Sequence, residues 1–220
     1  MSMDAPKPSG GPWWRSLSVR GMLILSVAFT AEQVVVVHLE KPYDAYLTLS
    51  GYGMKSGHLW ELFTYQFFHT GWIQFAVNLA GLWFLGRTCE AQWGSQRFFQ
   101  IYQGAVLAGA VLQGLAALGG FWIPESFDAV ASVLRDRFGD MTSGSSVGLC
   151  GLLGAYCRTK SNAPVSRLAP LQGKHLLWIA LALALLFVLI PSTPQLPHLA
   201  HLGALVAGWL LGRPLVPSRV

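Results

Sequence analysis

Four polar side chains that lie within apolar stretches are of the types that acyl-transfer chemistry needs. They are Ser146, His201, Asn78 and Gln74. A serine hydroxyl becomes an effective nucleophile when a neighbouring base takes its proton, and the resulting oxyanion needs preorganised donors. His201 is the candidate base, while Asn78 and Gln74, four residues apart on one helix face, are candidate oxyanion donors. No carboxylate is placed to orient the histidine, so the residues predict a Ser146–His201 dyad.

Each of these residues also has a purely structural interpretation. The stretch 144–148 fits the nucleophile pattern GxSxG, but no predicted strand precedes it, as the pattern would require. Small residues every three or four positions favour close helix packing, with hydroxyls bonding between helices. Here the small residues are Gly144, Gly148, Gly151 and Gly154, and the hydroxyls are those of Ser145 and Ser146. A lone histidine near a helix end often pairs with a backbone carbonyl. A catalytic role for the four residues therefore requires that they lie at a similar depth in the membrane.

The composition indicates the environment in which these residues lie. Of the 220 residues, 53% are hydrophobic and 11% are charged, and the mean hydropathy is +0.45. Ordinary soluble domains carry about 25% charged residues, so too few charges remain here to cover a watery surface. The fold class predicted is an all-α membrane protein, with the lipid bilayer as its main solvent.

Six apolar stretches predict six transmembrane helices, at about 21–39, 71–87, 96–119, 142–157, 174–192 and 197–212. Segment 40–70 is aromatic but irregular, which predicts an interfacial loop between the first two spans. Eleven Lys and Arg residues fall on one side of this arrangement and four on the other, so both termini are predicted to be cytoplasmic. Asn78, Ser146 and His201 then lie at similar depth below the outer surface.

The same pattern defines the domain organisation. Residues 1–20 are predicted to be a flexible basic cytoplasmic tail, 21–212 the six-helix membrane domain and 213–220 a short cytoplasmic tail. Glu32, inside the first span, should face the bundle interior because lipid disfavours a charge. The basic residues are scattered, which argues against a nucleic-acid partner. Three cysteines without a CxxC pair indicate no metal site, and no cofactor is implied.

Motifs distributed over residues 22–212 resemble the rhomboid family of intramembrane serine proteases. They are Trp60-Glu61-Leu62-Phe63-Thr64-Tyr65 with Phe68-His69-Thr70-Gly71-Trp72, then Asn78, Glu90 before Trp93-Gly94-Ser95, Gly144-Ser145-Ser146, and Ala200-His201. The resemblance implies a six-helix rhomboid-like bundle with a water-accessible cavity and with transmembrane protein substrates. Ser146 and His201 would form its dyad, with Asn78 and Gln74 at its oxyanion site. The predicted location is a bacterial plasma membrane.

Three positions depart from the family pattern and keep an alternative open. Gln74 replaces the usual histidine, Val147 the usual glycine after the serine, and Glu61 the usual arginine. Gln74 still carries an N–H₂ donor, whereas Val147 is stiff and could narrow the approach to the nucleophile. An intramembrane endopeptidase is one hypothesis; a noncatalytic rhomboid-like protein that binds transmembrane clients for quality control or trafficking is the other. A transporter ranks last, because no inverted repeat is evident.

Overall fold

The computed structural model describes residues 16–39, 44–69, 71–127, 141–164, 171–189 and 198–213. Its helices are α1 (Leu17–Leu39), α2 (Asp44–Leu47), α3 (Gly51–Lys55), α4 (Glu61–Thr64), α5 (Trp72–Gly81), α6 (Arg87–Trp93), α7 (Ser95–Trp122), α8 (Ser146–Thr159), α9 (Gly173–Leu189) and α10 (His198–Leu211). A turn of π-helix, Leu82–Gly86, joins α5 to α6. The described part of the chain is thus helical, as its hydropathy predicts, and its extended contacts are two isolated bridges.

The packed centre of the molecule is formed by α7, α8 and α10. Glycines let these helices approach one another closely, because a side chain at those positions would overlap the neighbouring backbone. A Cβ at Gly154 of α8 would lie 2.2 Å from the carbonyl oxygen of Leu205 in α10, and one at Gly109 of α7 would lie 2.6 Å from that of Ala200. The small-residue interpretation of α8 therefore holds alongside any chemical role of its first turn.

Helix α1 begins at Leu17, four residues before the predicted span start at Gly21. The cause is a long-range cap: the Glu90 carboxylate accepts the Leu17 N–H at 2.7 Å and the Ser18 N–H at 3.0 Å. These N–H groups have no partner within the helix, so a carboxylate there stabilises the helix start. The expected tail 1–20 consequently ends in helix, and residues 1–15 lie outside the described residues.

Segment 44–69 consists of short helices rather than one long one, in agreement with its irregular hydropathy. Buried Glu61 holds it together, since its carboxylate accepts the Ser50 N–H at 2.9 Å and lies 3.0 Å from Nδ1 of His58. Aromatic side chains of the segment remain exposed, among them Tyr52, Trp60 and Phe63.

The helix lengths differ from the predicted spans. Within the described residues, one helix stretch, Ser95–Gly119, is by itself long and apolar enough to cross a bilayer, while Gly173–Leu186 and Leu199–Leu211 are shorter apolar helices. The predicted span 142–157 begins too early, because helix α8 starts only at Ser146. Most of the connection between the third and fourth predicted spans, residues 128–140, lies outside the described residues, as do the C-terminal residues 214–220.

Candidate active site

The site forms where the first turns of α8 and α10 meet. Ser146 is the first residue of α8, and His201 lies one turn into α10. The Nε2 atom of His201 lies 2.8 Å from the hydroxyl oxygen of Ser146, and both side chains are partly buried. In this geometry the imidazole can accept the hydroxyl proton when Nε2 is the unprotonated nitrogen.

The position of Ser146 depends on the preceding glycine. Gly144 has φ +111°, a backbone conformation that residues other than glycine rarely adopt. A Cβ there would also lie 2.7 Å from Nε2 of Gln74 and 3.4 Å from Nδ2 of Asn78. Because 144 cannot be helical, the helix begins at Ser146, and its first N–H groups point out of the helix end without intrahelical partners.

The two predicted amide side chains lie on α5 beside this segment but differ in their contacts. Nε2 of Gln74 donates to the carbonyl oxygen of Ser143 at 3.0 Å. Asn78 is 2% exposed, and its Nδ2 meets no acceptor among the described residues. A buried amide donor without a partner is costly, and so it is available to an incoming oxygen. The structure thus brings Asn78 and Gln74 to the segment that carries Ser146.

Val147 does not face this site. Its side chain is fully buried, and Gly109 of α7 makes room for it: a Cβ at 109 would lie 2.6 Å from Cγ1 of Val147. The β-branched side chain therefore fills the interface between α8 and α7. The packing of Val147 against Gly109 does not support the expectation that it narrows the approach to Ser146, because the first turn of the helix directs that side chain into the core.

A second serine–histidine contact lies next to the first and was not predicted from the sequence. The hydroxyl of Ser145 lies 3.5 Å from Nε2 of His69, and both side chains are buried. The only sequence signal was the adjacency of the two serines, which favoured interhelical bonding equally well. No three ligating side chains cluster as a metal site in the described ranges of the chain.

The described part of the chain is thus a helical bundle with a serine–histidine pair at two helix starts. A family model, the rhomboid domain, matches residues 56–218. The chain therefore belongs to the rhomboid family and is an integral membrane protein. No curated protein matches the chain. The resemblance to this family on sequence motifs is thereby confirmed.

Proposed function

We propose that the protein is an intramembrane serine endopeptidase that cleaves transmembrane segments of other membrane proteins. The observation that carries the proposal is the 2.8 Å contact between Nε2 of His201 and the Ser146 hydroxyl. Ser146 attacks the scissile carbonyl while His201 takes its proton, and His201 then returns the proton to the leaving amine. The Ser146 N–H, Asn78 and Gln74 stabilise the oxyanion.

In this proposal six helices cross the bilayer with both termini cytoplasmic, and segment 44–69 lies in the outer interface. Helices α8 and α10 have 14 residues each, which corresponds to about 21 Å of helix. That length is shorter than the hydrocarbon core of roughly 30 Å. Their first residues therefore lie below the membrane surface, where a cavity must supply the water that hydrolyses the acyl-enzyme.

One observation favours a noncatalytic, client-binding function instead. Nε2 of Gln74 already donates to the Ser143 carbonyl, so at least one of its two amide N–H groups is directed away from an oxyanion. In such a protein the polar cavity would hold an unwound transmembrane segment without cleaving it. The two functions make different predictions for a mechanism-based label, which requires an activated nucleophile.

The test is a comparison of purified wild-type protein, in detergent and in liposomes, with Ser146→Ala and His201→Ala. A fluorophosphonate label and a panel of model transmembrane substrates report on nucleophile and cleavage separately. Both variants should lose labelling and cleavage, while Ser26→Ala and His175→Ala, which alter the same residue types on α1 and α9, should retain them. A wild-type protein that binds substrates but neither labels nor cleaves would instead support client binding.

A further inference from the structure

The short segment before the nucleophile is attached to the rest of the molecule at each of its residues. Each of its four residues has a contact that comes from segment 44–69 or from the start of α5. The contacts join Thr142 to Leu49 through two backbone bonds of 3.0 and 2.7 Å, Ser143 to Gln74, the Gly144 N–H to the Tyr65 carbonyl at 3.0 Å, and Ser145 to His69. Of these, the Ser145–His69 contact is the one nearest to Ser146.

His69 is itself held in a fixed position. Its side chain is 1% exposed, and its backbone N–H donates to the Glu32 carboxylate of α1 at 3.1 Å. The imidazole makes edge-on contacts with Phe29 and Phe75, at centroid distances of 6.1 and 5.5 Å. The ring also lies near the Phe67 backbone, but its Nδ1 meets no partner with hydrogen-bond geometry among the described residues. The polar contact of the ring is therefore directed at Ser145.

Ser145 places a hydroxyl inside the packed interior of the molecule. It is fully buried, and it also lies near the side chain of Tyr102 on α7. At 3.5 Å the contact with His69 is long for a hydrogen bond. Hydrogen bonds in a site without substrate are often long and shorten when substrate binds. Ser146 lies 2.8 Å from its histidine and is only partly buried, whereas Ser145 is fully buried and lies 3.5 Å from His69, so Ser146 is the nucleophile of the two.

We infer that Ser145 and His69 form a positioning pair, separate from the Ser146–His201 dyad, that fixes the first turn of α8 toward the oxyanion. The inference rests on the proposed function. Ser145 precedes the nucleophile directly, so a change in its backbone turns the Ser146 N–H. That N–H stabilises charge that develops only in the transition state. Loss of the pair therefore lowers kcat and leaves KM nearly unchanged.

The pair ties the nucleophile to two other elements of the fold. Glu32 holds the His69 backbone to α1, and the His69 ring contacts Ser145 at the start of α8. A displacement of segment 44–69 would thus move the Ser146 N–H. The effect is indirect, because it passes through the contact of His69 with Ser145. Misplacement of a reacting group by about 1 Å costs on the order of 100-fold in rate.

The test uses Ser145→Ala, which is nearly isosteric, and His69→Leu, with His69→Gln as the conservative variant whose amide can still bond the hydroxyl. We expect Ser145→Ala and His69→Leu to lower kcat by about tenfold or more, with KM within about twofold. His69→Gln should recover part of that loss. Amide hydrogen exchange over residues 143–148 should be faster in the two disruptive variants than in the wild-type protein, whether or not the protein cleaves peptides.

The outcomes separate this inference from the proposed function. Wild-type cleavage with unchanged kcat in Ser145→Ala and His69→Leu would overturn the positioning pair and leave the protease intact. Unchanged amide exchange at 143–148 would overturn it even if the wild-type protein were inactive. An inactive wild-type protein with faster exchange in the variants would refute the protease while supporting the pair as the anchor of this segment. A fall in kcat that His69→Gln does not relieve would assign the loss to packing and contradict the pair.

Discussion

Gly208 of α10 packs directly on the carbonyl group of Gly151 in α8, so that a Cβ at 208 would lie 1.9 Å from that oxygen. The contact sets the distance between the helix that carries His201 and the helix that carries Ser146. Gly208→Ala should therefore separate the two helices and lengthen the 2.8 Å contact of the dyad. We expect a loss of labelling by fluorophosphonate together with a lower unfolding temperature in detergent.

The matched control is Gly21→Ala. Gly21 lies in α1, and a Cβ there would meet nothing within 4 Å. Alanine favours a helix over glycine by roughly 0.5–1 kcal/mol, so this variant should be as stable as the wild-type protein or slightly more so. Equal effects of the two substitutions would contradict the close-approach argument.

A second prediction concerns Gly144, which combines a positive φ with close neighbours. Gly144→Ala should abolish labelling, because the new Cβ would push against Gln74 and move the residues that precede Ser146. Gly57→Ala separates the two causes, since Gly57 has φ +81° but open space around it. We expect Gly57→Ala to cost about 1–2 kcal/mol of stability and to keep labelling.

These glycines illustrate how far the sequence could predict the site. Hydropathy located the helices, and positions counted from the span starts put Ser146, His201 and Asn78 at one depth. The sequence did not predict that α8 begins at Ser146, because only the positive φ of Gly144 and the bridge of Thr142 to Leu49 stop the helix there. The start of α8 thus depends on Leu49, which lies about 90 positions earlier in the chain. A hydropathy average over neighbouring residues does not detect such a long-range contact.

The positions that depart from the family pattern also show that tertiary contacts limit what the sequence can predict. Val147 was expected to act at the nucleophile because the two are adjacent in sequence, whereas the helix directs its side chain toward Gly109. The buried carboxylate of Glu61, in place of arginine, bonds within its own segment through Ser50 and His58. Side-chain direction and tertiary partners decide both cases, and neither follows from residue type alone.

A third prediction follows for Val147. Val147→Gly removes a fully buried side chain from the α7–α8 interface and places a glycine in the first turn of α8. We expect a loss of roughly 1–3 kcal/mol of stability from the cavity and the added backbone freedom, with no gain in cleavage rate. Thermal unfolding and cleavage measured on one preparation check this. Faster cleavage of bulky substrates at unchanged stability would contradict the assignment of Val147 to the core.

The fourth prediction concerns the acid stability of the cap on α1. Burial by itself would raise the pKa of Glu90, but hydrogen bonds from Ser16, Ser95, Ser18 and Leu17 outweigh it and lower the pKa from 4.5 to about 2. The folded protein then binds fewer protons at this site than the unfolded chain between these two values. The stabilisation is therefore complete above about pH 4.5 and disappears as the pH falls toward 2.

Glu90→Gln tests this linkage, because the amide keeps the shape of the side chain and loses its charge. The variant should be less stable than the wild-type protein at pH 7 by on the order of 2 kcal/mol, since charge-assisted bonds to the α1 N–H groups are lost. Unfolding temperatures measured in detergent from pH 7 down to pH 3 should draw closer together, because below about pH 4.5 the unfolded wild-type chain takes up a proton at this carboxylate that the folded protein binds only toward pH 2. Ser95→Ala removes one hydrogen-bond donor that lies 2.6 Å from the Glu90 carboxylate. Its unfolding temperature should differ less from that of the wild-type protein, and the difference should depend on pH in the same way. A gap that stays constant across this range would mean that Glu90 stabilises α1 by packing rather than by its charge.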